Sequence, residues 1–250
     1  MSIDGSWLIP DWPAPAGVRA AVSTRYGPGV SKGPWGRFNL GARCGDEPGA
    51  VQANRAALRV ALPLGRDPHW LQQVHGVDVA DVDQPSGDAE PRADASVTHR
   101  PGEPLVILTA DCLPVLFCTA DGRAVAAAHA GWRGLQAGVL EATLNSLQVP
   151  PAEVLAWLGP CIGKRSYEVG EEVRDAFIHV DAGAANGFES TRPGHWLCDL
   201  PWLARRRLES TGMTQIYGGR FDTRTDERFY SYRRDGAQSG RFASLIWLEG

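Results

Sequence analysis

The sequence has no excess of positive charge. It carries 25 lysine and arginine residues against 29 aspartate and glutamate residues, which gives a formal net charge of −4, and its isoelectric point is near 5.9. Proteins that hold a phosphate backbone without sequence preference rely on a basic surface field. The composition therefore argues against a nucleic acid as the partner.

The sequence also lacks a long hydrophobic run. Its longest apolar stretches, such as Leu105 to Thr109 and Ala124 to Ala128, have the length of a strand and are far too short to cross a bilayer. The segment from Met1 to Pro15 has no basic start, no apolar centre and no cleavage site of the kind that a secretory signal needs. We expect a cytoplasmic protein that does not enter a membrane.

Cysteine is scarce and irregularly spaced. The chain has five cysteines, an odd number without the close spacing of a disulfide framework, which favours a reducing compartment. Common zinc signatures are missing too, because the chain has no CxxC, no HExxH and no HxE paired with PCxxC. Motif spacing alone therefore gives no metal site.

The sequence does contain enough apolar mass for a substantial core. Hydrophobic residues make up 43% of its 250 residues, and we find no repeat, low-complexity tract or linker that would divide it. We interpret the chain as a single α+β domain over residues 1–250, with mixed β-sheets flanked by helices. Residues 13–49 are rich in glycine and proline and include a loop-like stretch at 26–34, and residues 83–103 are typical of a polar surface connection.

Hydrophobic spacing and capping residues predict the remaining elements. Helices are expected from an Asp46 cap to about Leu62, over Gly134–Leu147, over Glu171–Phe177, and from an Asp199 cap to about Glu209. Strands are expected at Trp70–Val74, Val77–Val82, Leu105–Thr109, Val115–Cys118, Ala124–Ala128, Val154–Leu158, Ile216–Tyr217 and Ala243–Leu248.

Three polar side chains lie at positions that core packing does not explain. His75 precedes a glycine, Cys112 follows the strand predicted at 105–109, and His129 ends the apolar run that begins at Ala124. Each follows a predicted strand, and ligands collect at strand ends in open sheets. Imidazole and thiolate are good zinc ligands, and three of them leave a fourth position for water. The same residues could instead be a buried cysteine and two core histidines with satisfied nitrogens.

The segment after His129 adds a candidate anion site. Gly131-Trp132-Arg133-Gly134 opens a predicted helix, whose free backbone N–H groups would attract phosphate or carboxylate together with the Arg133 guanidinium. The glycines could equally serve only a tight turn, with Arg133 solvated or paired. The residues leave both interpretations open.

Three motifs are distinctive in combination: QVHG at 73–76, ADCLPV at 110–115 and HAGWRG at 129–134. The chain also contains STR at 23–25, FNLG at 38–41, GDEP at 45–48, NR at 54–55, ADA at 93–95, LGPCIG at 158–163, YEVG at 167–170, IYGG at 216–219 and YSYRRDG at 230–236. With these motifs in order over almost its whole length, the chain resembles the laccase-domain family of bacterial YfiH-like proteins. Members of that family are also labelled multicopper polyphenol oxidases and purine nucleoside phosphorylases. One departure is Asp222, which stands where the family commonly has a cysteine.

The resemblance implies one metal ion per chain, usually zinc, held by His75, Cys112 and His129. It also implies phosphorolysis of adenosine, inosine and methylthioadenosine, and hydrolytic deamination of adenosine. Cys112, His75 and His129 would then be catalytic together with Asp111. We expect Asp111, which is adjacent to Cys112, either to shuttle protons or to orient a ligand histidine.

The expected partners are a nucleoside and phosphate. For the phosphate, the candidate binding residues are Arg133 and Arg25, with Arg55 as a further one, because guanidinium groups bind phosphate through paired hydrogen bonds. Cys161, where the family more often has a small residue, is expected to be buried and structural. We expect a monomer or a small homo-oligomer.

Three other functions compete with this one. A copper polyphenol oxidase needs a trinuclear centre with many more imidazoles than six histidines can supply, although copper binds such ligands more tightly than zinc does. Some family members are implicated in removing serine from the nucleotide-linked muramyl precursor of peptidoglycan, and the sequence does not discriminate against this amidase reaction. A binding role for the C-terminal arginines is less favoured than a solvated, internally paired face. Those arginines are Arg220, Arg224, Arg228, Arg233, Arg234 and Arg241.

Overall fold

The computed structural model describes residues 5–84 and 89–250. Residues 1–4 and 85–88 lie outside the described residues. The first range begins the Met1 to Pro15 segment, which was tested above for a secretory signal. The second lies inside the predicted 83–103 connection. The strands are β1 (Trp7–Leu8), β2 (Val18–Ser23), β3 (Val79–Asp81), β4 (Ala95–Thr98), β5 (Leu105–Thr109), β6 (Leu113–Thr119), β7 (Val125–Ala130), β8 (Val154–Leu158), β9 (Glu168–Gly170), β10 (Phe188–Arg192), β11 (His195–Cys198), β12 (Gln215–Gly218) and β13 (Phe242–Leu248). The α-helices are α1 (Pro48–Ala61), α2 (Trp132–Ala137), α3 (Val139–Ser146), α4 (Glu171–Val180), α5 (Leu200–Ser210) and α6 (Tyr232–Asp235).

Two sheets packed face to face form the centre of the fold. The smaller sheet has the order β1-β2-β13-β5, and the larger has the order β12-β8-β6-β7-β4-β3. Ile107 and Ile246 of the smaller sheet pack against Leu116 and Val125 of the larger one. A third, small sheet has the order β10-β11-β9. The expected mixed architecture of several sheets and helices is confirmed.

Helices cover the outer faces of both central sheets. Helix α1 packs through Leu58 on the face of the smaller sheet that carries Val106. Helices α3 and α5 cover the larger sheet through side chains such as Leu140 and Leu203. Strands β6 and β7 therefore have both faces buried, and for that reason they are continuous apolar runs without polar alternation.

Most predicted elements are present, with ends shifted by a few residues. Strands β5 and β8 have the predicted bounds, and Asp199 caps α5 by accepting a hydrogen bond from the backbone N of Trp202 at 3.0 Å. The single helix predicted over 134–147 is instead divided into α2 and α3. The division falls at Gly138, whose φ of 107° lies in the left-handed region that glycine adopts readily.

Three local predictions were wrong. The supposed surface connection 83–103 contains the buried strand β4. Strand β2, within the glycine- and proline-rich region 13–49, was not predicted. The cap of α1 is Glu47, not Asp46, and its side chain makes no capping bond.

Residues 70–74 do not form a strand either. Here the Gln73 side chain replaces a backbone ladder, because its amide donates to the O of Leu108 at 2.8 Å and accepts from the N of Leu108 at 2.9 Å. The segment 70–74 therefore binds the edge of β5 through one side chain and not through the backbone hydrogen bonds of a strand.

The connection from β5 to β6 places the candidate site. It crosses from the smaller sheet to the larger one in the three residues 110–112. Strand β7 lies beside β6 and leads directly into α2, so Cys112 and His129 reach the same end of the sandwich. Among the described residues, no helix combines the length and apolar content needed to cross a membrane.

Candidate metal centre and substrate cleft

The structure brings His75, Cys112 and His129 together. Their possible ligand atoms all lie within 4.8 Å of one another, and the Cys112 Sγ is 3.8 Å from the His75 Nε2. The ring centroids of the two histidines are 4.8 Å apart. His129 is buried, Cys112 is half-buried and His75 is exposed, so the cluster opens to solvent on the His75 side.

The three residues reach this point from different kinds of backbone. His129 is the penultimate residue of β7, and Cys112 lies in the short turn between β5 and β6. His75 lies in a loop with a φ of 62°, a left-handed conformation that is uncommon outside glycine. The expectation that every candidate ligand follows a strand is therefore wrong for His75, and another interaction must hold its loop.

That interaction is the carboxylate of Asp94, which sequence reasoning did not single out. Its Oδ1 accepts hydrogen bonds from the His129 Nδ1 at 2.8 Å and from the backbone N of His75 at 2.9 Å. Its Oδ2 accepts from the backbone N of Gly76 at 2.6 Å and of Val74 at 3.1 Å. One buried carboxylate thus binds both the ring of one candidate ligand and the loop that carries another.

The Asp94 contacts also determine which histidine nitrogen is available. Because the His129 Nδ1 donates to Asp94, its Nε2 is left for a ligand on the other side of the ring. Burial raises the pKa of Asp94, but the hydrogen bonds from His129 and Gly76 outweigh it and bring the pKa below its ordinary value. Asp94 is therefore a carboxylate at neutral pH. Its only signal in the sequence was the ADA motif at 93–95, within a region interpreted as surface.

Cys112 and His129 are electrostatically coupled. Burial raises the pKa of the Cys112 thiol, but the charge and hydrogen bonds of His129 and His75 lower it to about 6. Burial lowers the pKa of His129, whereas the Cys112 thiolate and Asp94 raise it to about 9. Without a metal ion, the site at neutral pH holds a thiolate beside an imidazolium, and the thiolate is already in the form that binds metal.

Gly131 leaves the space in which the cluster forms. A Cβ at this position would lie 2.7 Å from the His75 Cδ2 and 3.1 Å from the Cys112 Sγ. A Cβ on Gly134 would lie 2.9 Å from the O of Gly76, so both glycines pack against the His75 loop. Donor atoms that share one zinc ion are about 3.3–3.6 Å apart when Zn–N and Zn–S distances are ordinary. The donor set and this close packing fit a single metal ion, which would draw together ligand atoms that now lie within 4.8 Å of one another.

The cluster lies in the wall of a cleft of about 620 Å³. Asp111 is the acidic residue among those that line the cleft, and aromatic rings are supplied by Trp132, Tyr167 and Tyr232. The lining arginines are Arg43, Arg55, Arg133, Arg233 and Arg241. The cleft of this acidic protein is therefore positively charged, which suits an anionic ligand.

Asp111 is held by the C-terminal segment. Its Oδ1 accepts from the Thr223 Oγ1 and its Oδ2 from the backbone N of Arg233, both at 2.6 Å. No hydrogen bond joins Asp111 to His75 or His129 within the described residues. The carboxylate that orients a histidine is therefore Asp94, and Asp111 ties the Cys112 turn to the end of the chain.

The three arginines predicted to bind phosphate have different surroundings. Arg133 is exposed, lines the cleft and lies over the Trp132 ring at 4.4 Å. Arg55 also lines the cleft. Arg25 lies over the Tyr230 ring at 5.1 Å, bonds to the O of Gly36, and is not among the cleft-lining residues.

Asp222, the departure from the family pattern, lies outside the metal cluster. Its Oδ2 accepts from the Ser166 Oγ at 2.6 Å, and its side chain packs against Gly163, where a Cβ would come within 2.7 Å of it. Cys161, whose backbone bridges to Asp222, is fully buried.

Comparison with known proteins gives the family. Residues 19–249 match the family described as multi-copper polyphenol oxidoreductase laccase. The chain belongs to this family. Among its relatives, a protein from Pseudomonas aeruginosa strain PAO1 named purine nucleoside phosphorylase is 55% identical, over 98% of this chain and 99% of its own. The purine nucleoside phosphorylase YfiH of Escherichia coli strain K12 is 52% identical, over 96% of this chain and 98% of its own.

Solved structures of similar proteins share the fold. A Neisseria meningitidis protein superposes with a TM-score of 0.92 at 45% identity, covering 98% of this chain and all of that one. YlmD from Geobacillus stearothermophilus superposes with a TM-score of 0.87 at 30% identity, covering 98% of this chain and 97% of that one.

The first test of the site is Gly131→Ala. The added methyl group should displace His75 or Cys112, and we expect zinc affinity to fall by a factor of about 5 to 150, since such overpacking costs about 1–3 kcal/mol. Affinity can be measured by competition with a chromophoric chelator. Gly49→Ala is the matched control, because a Cβ at Gly49 meets nothing within 4 Å. Equal affinities in the two variants would contradict the close packing proposed at Gly131.

The second test uses the pH dependence of alkylation in chelator-treated protein. We expect Cys112 to react with iodoacetamide at a rate that rises with pH through a midpoint near 6, because the thiolate is the reacting form and its pKa is about 6. The measurement is made in a Cys44→Ser background, because Cys44 also lines the cleft. There Cys112→Ser should abolish the reaction, since burial raises the pKa of Cys118 to about 12 and also raises the pKa of Cys161 and of Cys198. A midpoint near 8.5, the value of an ordinary thiol, would show that the histidines do not stabilise the thiolate.

Proposed function

We propose that the protein is a zinc-dependent purine nucleoside enzyme. Its reactions would be the phosphorolysis of adenosine, inosine and methylthioadenosine, and the hydrolytic deamination of adenosine. The observation that carries this proposal is the His75, Cys112 and His129 cluster in the wall of an arginine-lined cleft. The names of relatives up to 55% identical support the phosphorylase activity.

His75, Cys112 and His129 would hold the metal ion. Zinc bound there would supply a Lewis acid with an open coordination position. Copper suits the same two imidazoles and thiolate, and the family description names copper. We favour zinc because neither proposed reaction transfers electrons.

In phosphorolysis a phosphate oxygen forms a bond to the anomeric carbon of the ribose, and the bond from that carbon to the purine nitrogen breaks. The bonding electrons leave with the purine, which must then be protonated. Arg133, which lines the cleft, would neutralise the phosphate, and Trp132 and Tyr167 would offer aromatic faces for the purine. We assign proton transfer to Asp111, whose carboxyl group lines the cleft. It would take a proton from the attacking dihydrogen phosphate and pass it to the departing purine.

The cleft is also compatible with an amidase reaction on the nucleotide-linked muramyl precursor. The arginines that line the cleft would suit a substrate with phosphate groups as well as they suit free phosphate. The same assay can include this precursor, and the masses of its products would show whether serine is released.

The test of the proposed function compares two activities in one protein preparation. Adenosine is incubated with and without phosphate, and the products are identified by mass. We expect adenine and ribose 1-phosphate only when phosphate is present, and inosine in both cases. Arg133→Ala should lower phosphorolysis about thirtyfold and deamination little, because a paired charged hydrogen bond contributes about 2 kcal/mol and water replaces phosphate in deamination.

The matched control is Arg123→Ala, whose side chain is 86% exposed beside Asp121 and outside the cleft. It should leave both activities unchanged. Equal losses of the two activities in Arg133→Ala would assign Arg133 to the nucleoside, and no loss would remove it from the site. Absence of both activities in the zinc-loaded wild-type protein would contradict the proposed function itself.

A further inference from the structure

The arginines of the cleft fall into two groups. Arg133 and Arg233 each lie over an aromatic ring of the cleft, at 4.4 Å from Trp132 and 5.3 Å from Tyr167. Arg43, Arg55 and Arg241 instead gather around the segment 39–43. A single phosphate is matched by one or two guanidinium groups, so the second group exceeds what the anion site at Arg133 requires.

Arg55 is held in a fixed position. Its guanidinium lies over the Trp70 ring at 3.8 Å, its Nε donates to the O of Leu40 at 3.1 Å, and its Nη1 donates to Glu90 at 2.9 Å. The side chain is only 19% exposed. No described residue accepts a hydrogen bond from its Nη2. A guanidinium that is fixed in this way loses little entropy when it binds a ligand.

Arg241 is held in a similar way. Its backbone N donates to the Asn39 Oδ1 at 2.8 Å, and its Nη1 donates to the O atoms of Ser239 and Gly240 at 2.6 and 3.0 Å. Its side chain lies directly on Gly41, where a Cβ would come within 2.7 Å of the Arg241 Cγ. Its Nε and Nη2 have no acceptor among the described residues.

A buried polar network supports the segment under these two arginines. Asp46 accepts from the Asn39 Nδ2 at 2.9 Å and from the Ser31 Oγ at 2.6 Å. Asn54 in turn donates to the O of Asn39 at 2.8 Å. The FNLG, GDEP and NR motifs supply this network and Arg55, although none of them belongs to the metal cluster.

The group keeps a net positive charge. Glu90 pairs with both Arg43 and Arg55, at 2.8 and 2.9 Å, which leaves three guanidinium groups against one carboxylate. Asp46 does not neutralise them through a hydrogen bond, since its contacts are with Ser31, Asn39 and the N of Glu47. Arg43 and Arg55 share this one carboxylate, and a dianion bound beside them would offset the repulsion between their charges.

We propose that Arg43, Arg55 and Arg241 form a phosphate-binding subsite of the cleft. Its ligand is a phosphate group, carried either by inorganic phosphate or by a phosphorylated substrate such as a nucleoside 5′-monophosphate. The subsite rests on the proposed function only in taking this cleft as the substrate site.

The test measures binding without turnover. Inorganic phosphate and adenosine 5′-monophosphate are each titrated into the folded protein by calorimetry, the first without nucleoside and the second without phosphate. We expect Arg55→Gln to weaken the binding of at least one probe about tenfold, because a charged hydrogen bond contributes about 1.5–3 kcal/mol. A loss for both probes or for inorganic phosphate alone identifies the subsite of free phosphate, and a loss for the monophosphate alone identifies that of a phosphate ester.

Two further variants make the result decisive. Arg59→Gln is the matched control, since Arg59 follows Arg55 by one turn of α1, is 45% exposed and contacts Asp67 outside the cleft. Arg43→Ala guards against misfolding, because its side chain is 56% exposed, and it should weaken the same probe. Unchanged affinities for both probes in Arg43→Ala and in folded Arg55→Gln would overturn the proposal, as would the absence of binding to the wild-type protein. If the wild-type protein binds phosphate through these arginines but cleaves no nucleoside, the proposed function is refuted and the subsite stands.

Discussion

The candidate metal site depends on the buried carboxylate of Asp94. Four donors reach it, three from the backbone of residues 74–76 and one from His129. A buried charge without such partners would cost several kcal/mol, so the carboxylate and its donors stabilise one another in a single arrangement. The His75 loop, with its left-handed backbone, and the His129 ring are thereby fixed relative to each other before any metal binds.

The layered fold places the other parts of the site around this carboxylate. The turn from β5 to β6 crosses between the two sheets and carries Cys112 to the end of β7. Gly131, where β7 passes into α2, allows His75 and Cys112 to approach each other. The cleft beside them is closed by segments from both ends of the chain, among them Gly41 and Arg241. Its positive charge thus comes from residues that are brought together only by the fold.

The sequence predicted the parts of the structure that depend on local pattern. Strands such as β5 and β8 are short apolar runs between turn residues, and their bounds were right. Asp94 was missed because it precedes β4, whose Ala-Ser-Val-Thr has only one large apolar residue and no alternation. Contacts between distant residues carry no local signal either, such as Asp94 with His129, 35 residues apart, or Asn39 with Arg241, 202 residues apart. The convergence of His75, Cys112 and His129 was expected mainly from motifs shared with a family.

The central claim is that Asp94 organises the metal ligands, and the zinc affinity of Asp94→Asn tests it most directly. The asparagine side chain has an NH2 group in place of one of the two carboxylate oxygens, so the N–H groups that donate to that oxygen lose their acceptor. Loss of a carboxylate that orients a metal ligand lowers metal affinity about 10–100-fold. Asp83→Asn is the matched control, because Asp83 also accepts from a histidine ring and backbone, those of His99, away from the cluster. We predict that chelator competition shows a loss of zinc affinity in folded Asp94→Asn and none in Asp83→Asn. Wild-type affinity in Asp94→Asn would contradict the account.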